Sequence, residues 1–274
     1  MEAALQRRIQ RYGWDKAATS YEDFWARQIA PAQEKLLEMA ALRAGEDVVD
    51  IACGTGLVTM RAAEAVGAGG SVTAADLSDQ MVLRAREEAS ARGIHNATFA
   101  RMDAERLELE DGCCDAALCS LGLMYVPDPA AALRGMHRVL RAGGRAVAAV
   151  WGERRKCGWA GIFPVVDARV RTDVCPMFFQ LGTGSALAET FALSGFEQIR
   201  TERMETIMRY ESGEEACGAA FAGGPVALAH SRFDAETRDE AHREYLESIA
   251  AYRNGHGYRI PGEFVVVSGR KINR

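Results

Sequence analysis

The stretch VVDIACGTG, residues 48–56, is an apolar run that ends in two glycines, with Asp50 inside it and Cys53 just ahead of Gly54. A hydrophobic strand breaks into glycine where a tight turn or a ligand requires bare backbone. A turn leading from a strand into a helix also presents unpaired N–H groups to a ligand. G-x-G alone is a weak signal. The dinucleotide fingerprint G-x-G-x-x-G needs its third glycine for close helix-on-strand packing, and that position here is Thr59. A diphosphate, and with it a nicotinamide oxidoreductase, is disfavoured.

Two acids follow at telling places. Asp76 ends the second apolar run, twenty residues after Gly56, the interval at which an acidic residue reaches ribose hydroxyls. A carboxylate can accept from two vicinal hydroxyls at once. The third run ends in RMDAE, residues 101–105, which offers Asp103 as acceptor for an exocyclic amine beside the Ala104 backbone. A glycine turn, an acid and a second acid at the ends of consecutive strands describe an adenosine site without a pyrophosphate.

The flanking pattern fits that reading. Apolar or β-branched runs at 47–52, 71–75, 97–102, 116–120 and 145–151 read as strands. Helical spacing fills 56–66, 79–92 and 130–141. Ser78 is placed to cap the second of these helices, Gly93 to end it, and Gly143 with Gly144 to end the third. Such alternation predicts a mostly parallel sheet with helices on both faces and a ligand beyond the carboxyl ends of the strands. Residues 1–43 carry two further helical patterns, one of them rich in aromatics. Residues 152–260 interrupt the alternation with a helix near 186–193 ending at Gly195, a strand near 196–208, and helical patterns around 214–222 and 235–251. EFVVVSGR, residues 263–270, reads as a last strand.

With 274 residues, 48% of them hydrophobic, the chain can bury a sizeable core. The net charge of -5 and the lack of a basic stripe speak against nucleic acid as a partner. MEAALQRRIQRYGWDK lacks the apolar core of a secretory signal, and no segment approaches the length of a membrane span, so a cytoplasmic protein is expected. Seven cysteines then read as reduced thiols, and neither they nor the five scattered histidines show metal-ligand spacing, so no metal is expected. No pattern in the sequence sets an oligomeric state.

The chain resembles the class I S-adenosylmethionine-dependent methyltransferases, within them the small-molecule group that includes the ubiquinone/menaquinone C-methyltransferases. The resemblance rests on VVDIACGTG, VTAADLSDQMVLRARE, ATFARMDAERL, DAALCSLGLMYVPDPAAALRGMHRVLRAGGRAV and YRIPGEFVVVSGRK. It implies a Rossmann-like α/β fold with a mostly parallel seven-stranded sheet, an antiparallel last strand, a helical N-terminal segment and a lid insertion. A single domain over 1–274 is implied, divided into a cap (1–43), a cofactor-binding core (44–151), a lid with the C-terminal half of the sheet (152–260) and a last strand with tail (261–274). The activity implied is methyl transfer from S-adenosyl-L-methionine to a small acceptor.

Site residues follow by resemblance. Asp50 would order the turn near the cofactor's amino group, and Ala52, Cys53, Gly54 and Gly56 would present their backbone to its methionine part. Ala52 stands where the family's first turn glycine is usual. Asp76 would hold the ribose, Leu77 and Met81 would pack on the adenine, Asp103 would take its N6, and Ala104 would approach N1. Ser120 would line the methionine arm, and Tyr21, in GWDKAATSYEDFW, would close over the ligand. Trp14, Trp25, Tyr125, Trp159 and Phe178 are expected to form an apolar acceptor pocket, because aromatic residues concentrate in the cap and lid. Cys53 reads as a small buried filler, His137 as structural and His256 as a loop residue. Methyl transfer can be carried by alignment and exclusion of water, so no base is assigned. Two alternatives stand beside this reading: a thiol-assisted arsenite-type methyltransferase using Cys157 and Cys175, and a non-catalytic protein that only binds the cofactor.

Overall fold

The computed structural model describes residues 2–170, 177–224 and 226–272. Two helices open the chain, α1 (Ala3–Ala17) and α2 (Tyr21–Ala40). The alternating core follows: β1 (Asp47–Ile51), α3 (Leu57–Val66), β2 (Ser71–Asp76), α4 (Asp79–Ala91), β3 (Ala97–Arg101), β4 (Cys114–Ser120), α5 (Pro129–Val139) and β5 (Leu140–Trp151). The insertion contains α6 (Ile162–Asp167), α7 (Ala186–Leu193), β6 (Glu197–Tyr210), α8 (Gly213–Cys217), α9 (Ala227–His230) and α10 (Ala235–Ser248). A two-residue strand, β7 (Arg253–Asn254), turns back onto β8 (Gly257–Arg270).

The main sheet runs β3-β2-β1-β4-β5-β8-β6, with β7 attached to β8. Strands β1 to β5 pair in parallel, and β8 lies antiparallel between β5 and β6. Strand β1 is buried from Val48 onward, because helices cover both faces of a parallel sheet and leave no polar side. The order reverses between β1 and β4, so the crevice beyond their carboxyl ends is where a ligand is admitted.

The Ser78 cap is present: its Oγ accepts the Met81 N–H at 3.1 Å. Gly93 follows the end of α4 with φ of 66°. Gly143 and Gly144 do not end a helix. Helix α5 stops at Val139 and the chain passes directly into β5, where the Gly143 N–H is donated to the Lys271 carbonyl at 2.7 Å. The glycines serve an irregular strand start, next to a register shift between Cys114 and Ala116. The last strand begins at Gly257, inside the segment expected as the end of the lid. The pattern around 214–222 is the short α8 followed by a π-helical turn, Gly218–Ala222.

Phe264 on β8 is fully buried and packs on Trp151 of β5, ring centroids 4.2 Å apart. Phe264→Ala is expected to lower the unfolding free energy by about 3–5 kcal/mol, as large aromatic truncations in cores do. Urea denaturation followed by circular dichroism checks it; a loss under about 1 kcal/mol, roughly a fivefold change in the folded ratio, would mean that this contact does not anchor β8 to β5.

Candidate active site

The turn after β1 is built by backbone geometry. Ala52 has φ of 55° and Gly54 and Gly56 have φ of 56° and 93°, all in the left-handed region. At Gly56 a methyl group would stand 2.7 Å from Met60 Cε and 3.3 Å from Ala85 Cβ, so this glycine lets α3 and α4 pack together. Ala52 bears its left-handed strain as a non-glycine residue. Its methyl occupies the space a side chain at Gly122 would need, 2.4 Å from where that Cβ would lie.

Two buried carboxylates organise the turn. Asp50 is fully buried, and its Oδ2 accepts the Thr59 hydroxyl at 2.6 Å while Oδ1 has no partner. Asp76 accepts the Gly54 N–H on Oδ2 and the Ser78 N–H on Oδ1, both at 2.9 Å. Burial pushes the Asp50 carboxyl up to about 7, against the hydrogen bond from Thr59, and the Asp76 carboxyl up to about 6, against those from Ser78 and Gly54. Desolvation dominates because the charged form of an acid loses most on leaving water.

Beyond these strand ends lies a cleft of about 730 Å³. Its walls include Tyr21, Ala52, Gly54, Asp76, Leu77, Met81, Asp103, Ala104 and Ser120 from the sequence reading. Asp50, Cys53 and Gly56 do not line it. Asp50 is turned to Thr59, Gly56 to the helix contact, and the Cys53 N–H is donated to the Ala75 carbonyl at 3.0 Å. Burial raises the Cys53 thiol well above its ordinary value. The Ser120 Oγ is buried without a hydrogen-bond partner, and a buried hydroxyl left so costs about 1–3 kcal/mol until a ligand satisfies it.

Helix α1 closes the cleft with a face of which the sequence pointed only to Trp14, and that for the acceptor pocket. Arg7, Gln10 and Trp14, one helical stripe, line it. Arg7 Nε reaches Asp103 Oδ2 at 3.0 Å, Arg11 pairs with Asp79, and Asp15 Oδ1 accepts the Ser78 hydroxyl at 2.6 Å. The spacing of Arg7, Arg11 and Asp15 on one helix face was the available signal. Asp103 Oδ1 also accepts the Glu105 N–H at 3.0 Å, so this acid closes a local turn while it lines the cleft.

A second cavity, about 640 Å³, adjoins the first and shares Trp14, Tyr21, Leu121 and Tyr125 with it. All five residues expected in an acceptor pocket line it: Trp14, Trp25, Tyr125, Trp159 and Phe178. Trp151, Phe163, Tyr210 and Tyr245 were not foreseen there and complete an aromatic wall. No Asp, Glu, Lys, Arg or His is among the described lining residues. Cys157 is buried, its thiol pushed up to about 11 by burial, and lines neither cavity; Cys175 lies outside the described residues. His137 packs edge-on against Phe196, and His256 lines a separate surface crevice. Among the described residues no group of three or more His, Cys, Asp or Glu is placed to hold a metal ion, and no helix is long and apolar enough to cross a membrane.

Comparison with known proteins agrees with this geometry. The family model described as "Methyltransferase domain" matches residues 48–144. A ubiquinone/menaquinone biosynthesis C-methyltransferase of Xylella fastidiosa is 30% identical over 199 residues, 71% of this chain and 76% of that protein. The chain belongs to the class I S-adenosylmethionine-dependent methyltransferases. An aklanonic acid methyltransferase of Streptomyces is 32% identical over 132 residues, 48% of this chain and 60% of the other. Six of the curated relatives are spanned over only 44% to 60% of their own length. A phosphoethanolamine N-methyltransferase of Haemonchus contortus in complex with S-adenosyl-L-methionine shares the fold at 16% identity, with a TM-score of 0.62, over 94% of this chain and 57% of that one. The residues present fit the family's cofactor: an orphaned hydroxyl at Ser120, a buried acid at Asp76 and apolar walls at Leu77 and Met81 lie in one cleft.

Asp50 carries a pH signature. Its folded value, about 7, lies above the roughly 4 of an unfolded aspartate, so between those values the folded state binds the extra proton and stability falls as pH rises. Asp50→Asn is expected to flatten that part of the stability profile between pH 5 and pH 8. Urea unfolding of both proteins across this window measures it, and parallel profiles would refute the raised carboxyl.

Proposed function

We propose that this protein transfers a methyl group from S-adenosyl-L-methionine to a small, apolar or aromatic acceptor. The observation that carries the reading is the shared wall: a cleft bearing Arg7, Asp76, Asp103 and Ser120 shares Trp14, Tyr21, Leu121 and Tyr125 with a cavity lined by aromatic rings and, among the described residues, by no charge. When bound, the cofactor supplies an electrophilic methyl group on a positive sulfonium.

The chain's residues bind, orient and exclude water. Asp76 would hold the ribose hydroxyls. A carboxylate has about four acceptor sites, and two are used by Gly54 and Ser78, which leaves the rest for the ribose. Leu77 and Met81 would face the adenine, with Asp103 and Ala104 at its polar edge. Ala52, Gly54 and Ser120 would meet the methionine part, while Asp50 and Gly56 shape the turn behind it. Tyr21, which lines both cavities and lies over Gly54, separates cofactor from acceptor. Burial holds its phenol neutral by raising its value. Alignment of two reactants in a dry site represents about 7–11 kcal/mol of barrier, and a base is required only where the acceptor must lose a proton. A small molecule is the partner this reading requires; the acidic net charge of -5 does not favour nucleic acid, and the reading places the enzyme in the cytoplasm.

Isothermal titration should show binding of S-adenosylmethionine and S-adenosylhomocysteine and none of NAD; NAD binding alone would overturn the reading. Asp76→Ala is expected to weaken cofactor binding by about 1–3 kcal/mol through loss of charged hydrogen bonds. In the wild-type protein, affinity is expected to fall about tenfold per pH unit below the Asp76 value of about 6, because ribose hydroxyls select the ionised acid. A pH-independent affinity between pH 5 and pH 7 would remove the ribose assignment. Methyl-labelled cofactor incubated with extracts then identifies the acceptor by its labelled product.

A further inference from the structure

One of the rings that line the aromatic cavity carries an unused donor. Trp25 Nε1 donates to the Ala219 carbonyl at 3.2 Å, and the Tyr210 hydroxyl reaches Met208 Sδ at 3.7 Å. Trp159 Nε1 is buried with no hydrogen-bond partner, although the residue is only 6% exposed. An indole N–H is a donor only, and a buried tryptophan usually finds an acceptor for it. An orphan of this kind in a native interior calls for an explanation. Trp159 sits at the centre of the cage, in ring contact with Trp25, Trp151, Phe163, Phe178 and Phe179. The cavity it lines contains no charged side chain among the described residues.

We infer that Trp159 is the specificity-determining residue of the acceptor cavity, donating its indole N–H to a neutral oxygen, of carbonyl type, on a planar aromatic acceptor. This rests on the methyltransferase reading and narrows its substrate class. The rings supply flat apolar contact, which any polycyclic hydrocarbon would meet. The orphan donor supplies the discrimination, since a site that offers a buried polar group rejects a ligand that leaves it unpaired. An anionic acceptor is disfavoured, because a buried charge needs a partner and the described walls provide none.

The test uses the full chain saturated with S-adenosylhomocysteine, which completes the cofactor side without allowing transfer. Two planar probes of nearly equal shape, 9-fluorenone and fluorene, differ in a carbonyl against a methylene. Their dissociation constants are read by quenching of tryptophan fluorescence in the wild type, Trp159→Phe and Trp25→Phe. The wild type is expected to prefer fluorenone by about three- to tenfold, the range of one neutral hydrogen bond. Trp159→Phe should abolish that preference, and Trp25→Phe, whose N–H is already engaged, should shift both probes alike and keep it. Unchanged S-adenosylhomocysteine affinity in Trp159→Phe shows that the variant is folded. If the preference survives in Trp159→Phe, or vanishes equally in Trp25→Phe, the assignment of Trp159 is overturned. If neither probe binds the loaded wild type, the acceptor class is wrong while the methyltransferase reading stands. If S-adenosylhomocysteine itself fails to bind, that reading falls and takes this one with it.

Discussion

One buried carboxylate joins the parts of this active site. Asp76 ends β2, yet its two oxygens hold the amide of Gly54 in the turn after β1 and the amide of Ser78 at the start of α4. The glycine turn, the second strand and the fourth helix are thereby fixed to each other by two hydrogen bonds from a single side chain. Ser78 extends the chain of contacts, because its hydroxyl caps α4 and donates to Asp15 on α1. A site that must align two reactants needs such rigidity, since small misplacements of reacting atoms are costly. The raised value of Asp76 is the other face of this role: two backbone amides offset part of the desolvation without cancelling it.

Much of this could be read from the sequence, and the reasons are local. Strand β1 had to end near Ile51 because an apolar run meets Ala52, Gly54 and Gly56, and the acids at 76 and 103 close the next two runs. What stayed hidden depends on how elements cross. Gly56 reads as a ligand glycine, yet its left-handed backbone and its closeness to Met60 and to Ala85, on another helix, account for it. Gly143 reads as a helix stop, yet its amide pairs with Lys271 at the far end of the chain. The Arg7, Arg11 and Asp15 stripe shows in the sequence as helical spacing, but their partners Asp103, Asp79 and Ser78 come from β3, α4 and the turns beside them. Trp151 and Tyr245 belong to elements that pattern alone assigns to the core, and only the packing of the insertion over β5 turns them toward a cavity.

The two cavities differ in how they are closed. The aromatic one is shut by edge-to-face ring contacts such as Trp14 with Tyr125 and Tyr125 with Phe178, each worth about 0.5–1.5 kcal/mol beyond area burial. The cofactor cleft is shut by α1 through polar contacts of mixed exposure: Arg7 pairs with Glu105 at 2.5 Å, an acid only 4% exposed, and Asp15 accepts the Ser78 hydroxyl at 2.6 Å, whereas Arg11 and Asp79 are 33% and 48% exposed. Exposed pairs contribute about 0–1 kcal/mol and are screened by salt.

Methyl transfer asks one thing of both covers, that they keep water from the reacting atoms. A cover of interlocked rings excludes water, which suits the side where the acceptor meets the methyl group. Trp14 belongs to both, since it lies on α1 and lines both cavities. The same ring of α1 therefore closes the cofactor cleft and completes the wall of the acceptor cavity, so the two sites share one helix as a common boundary.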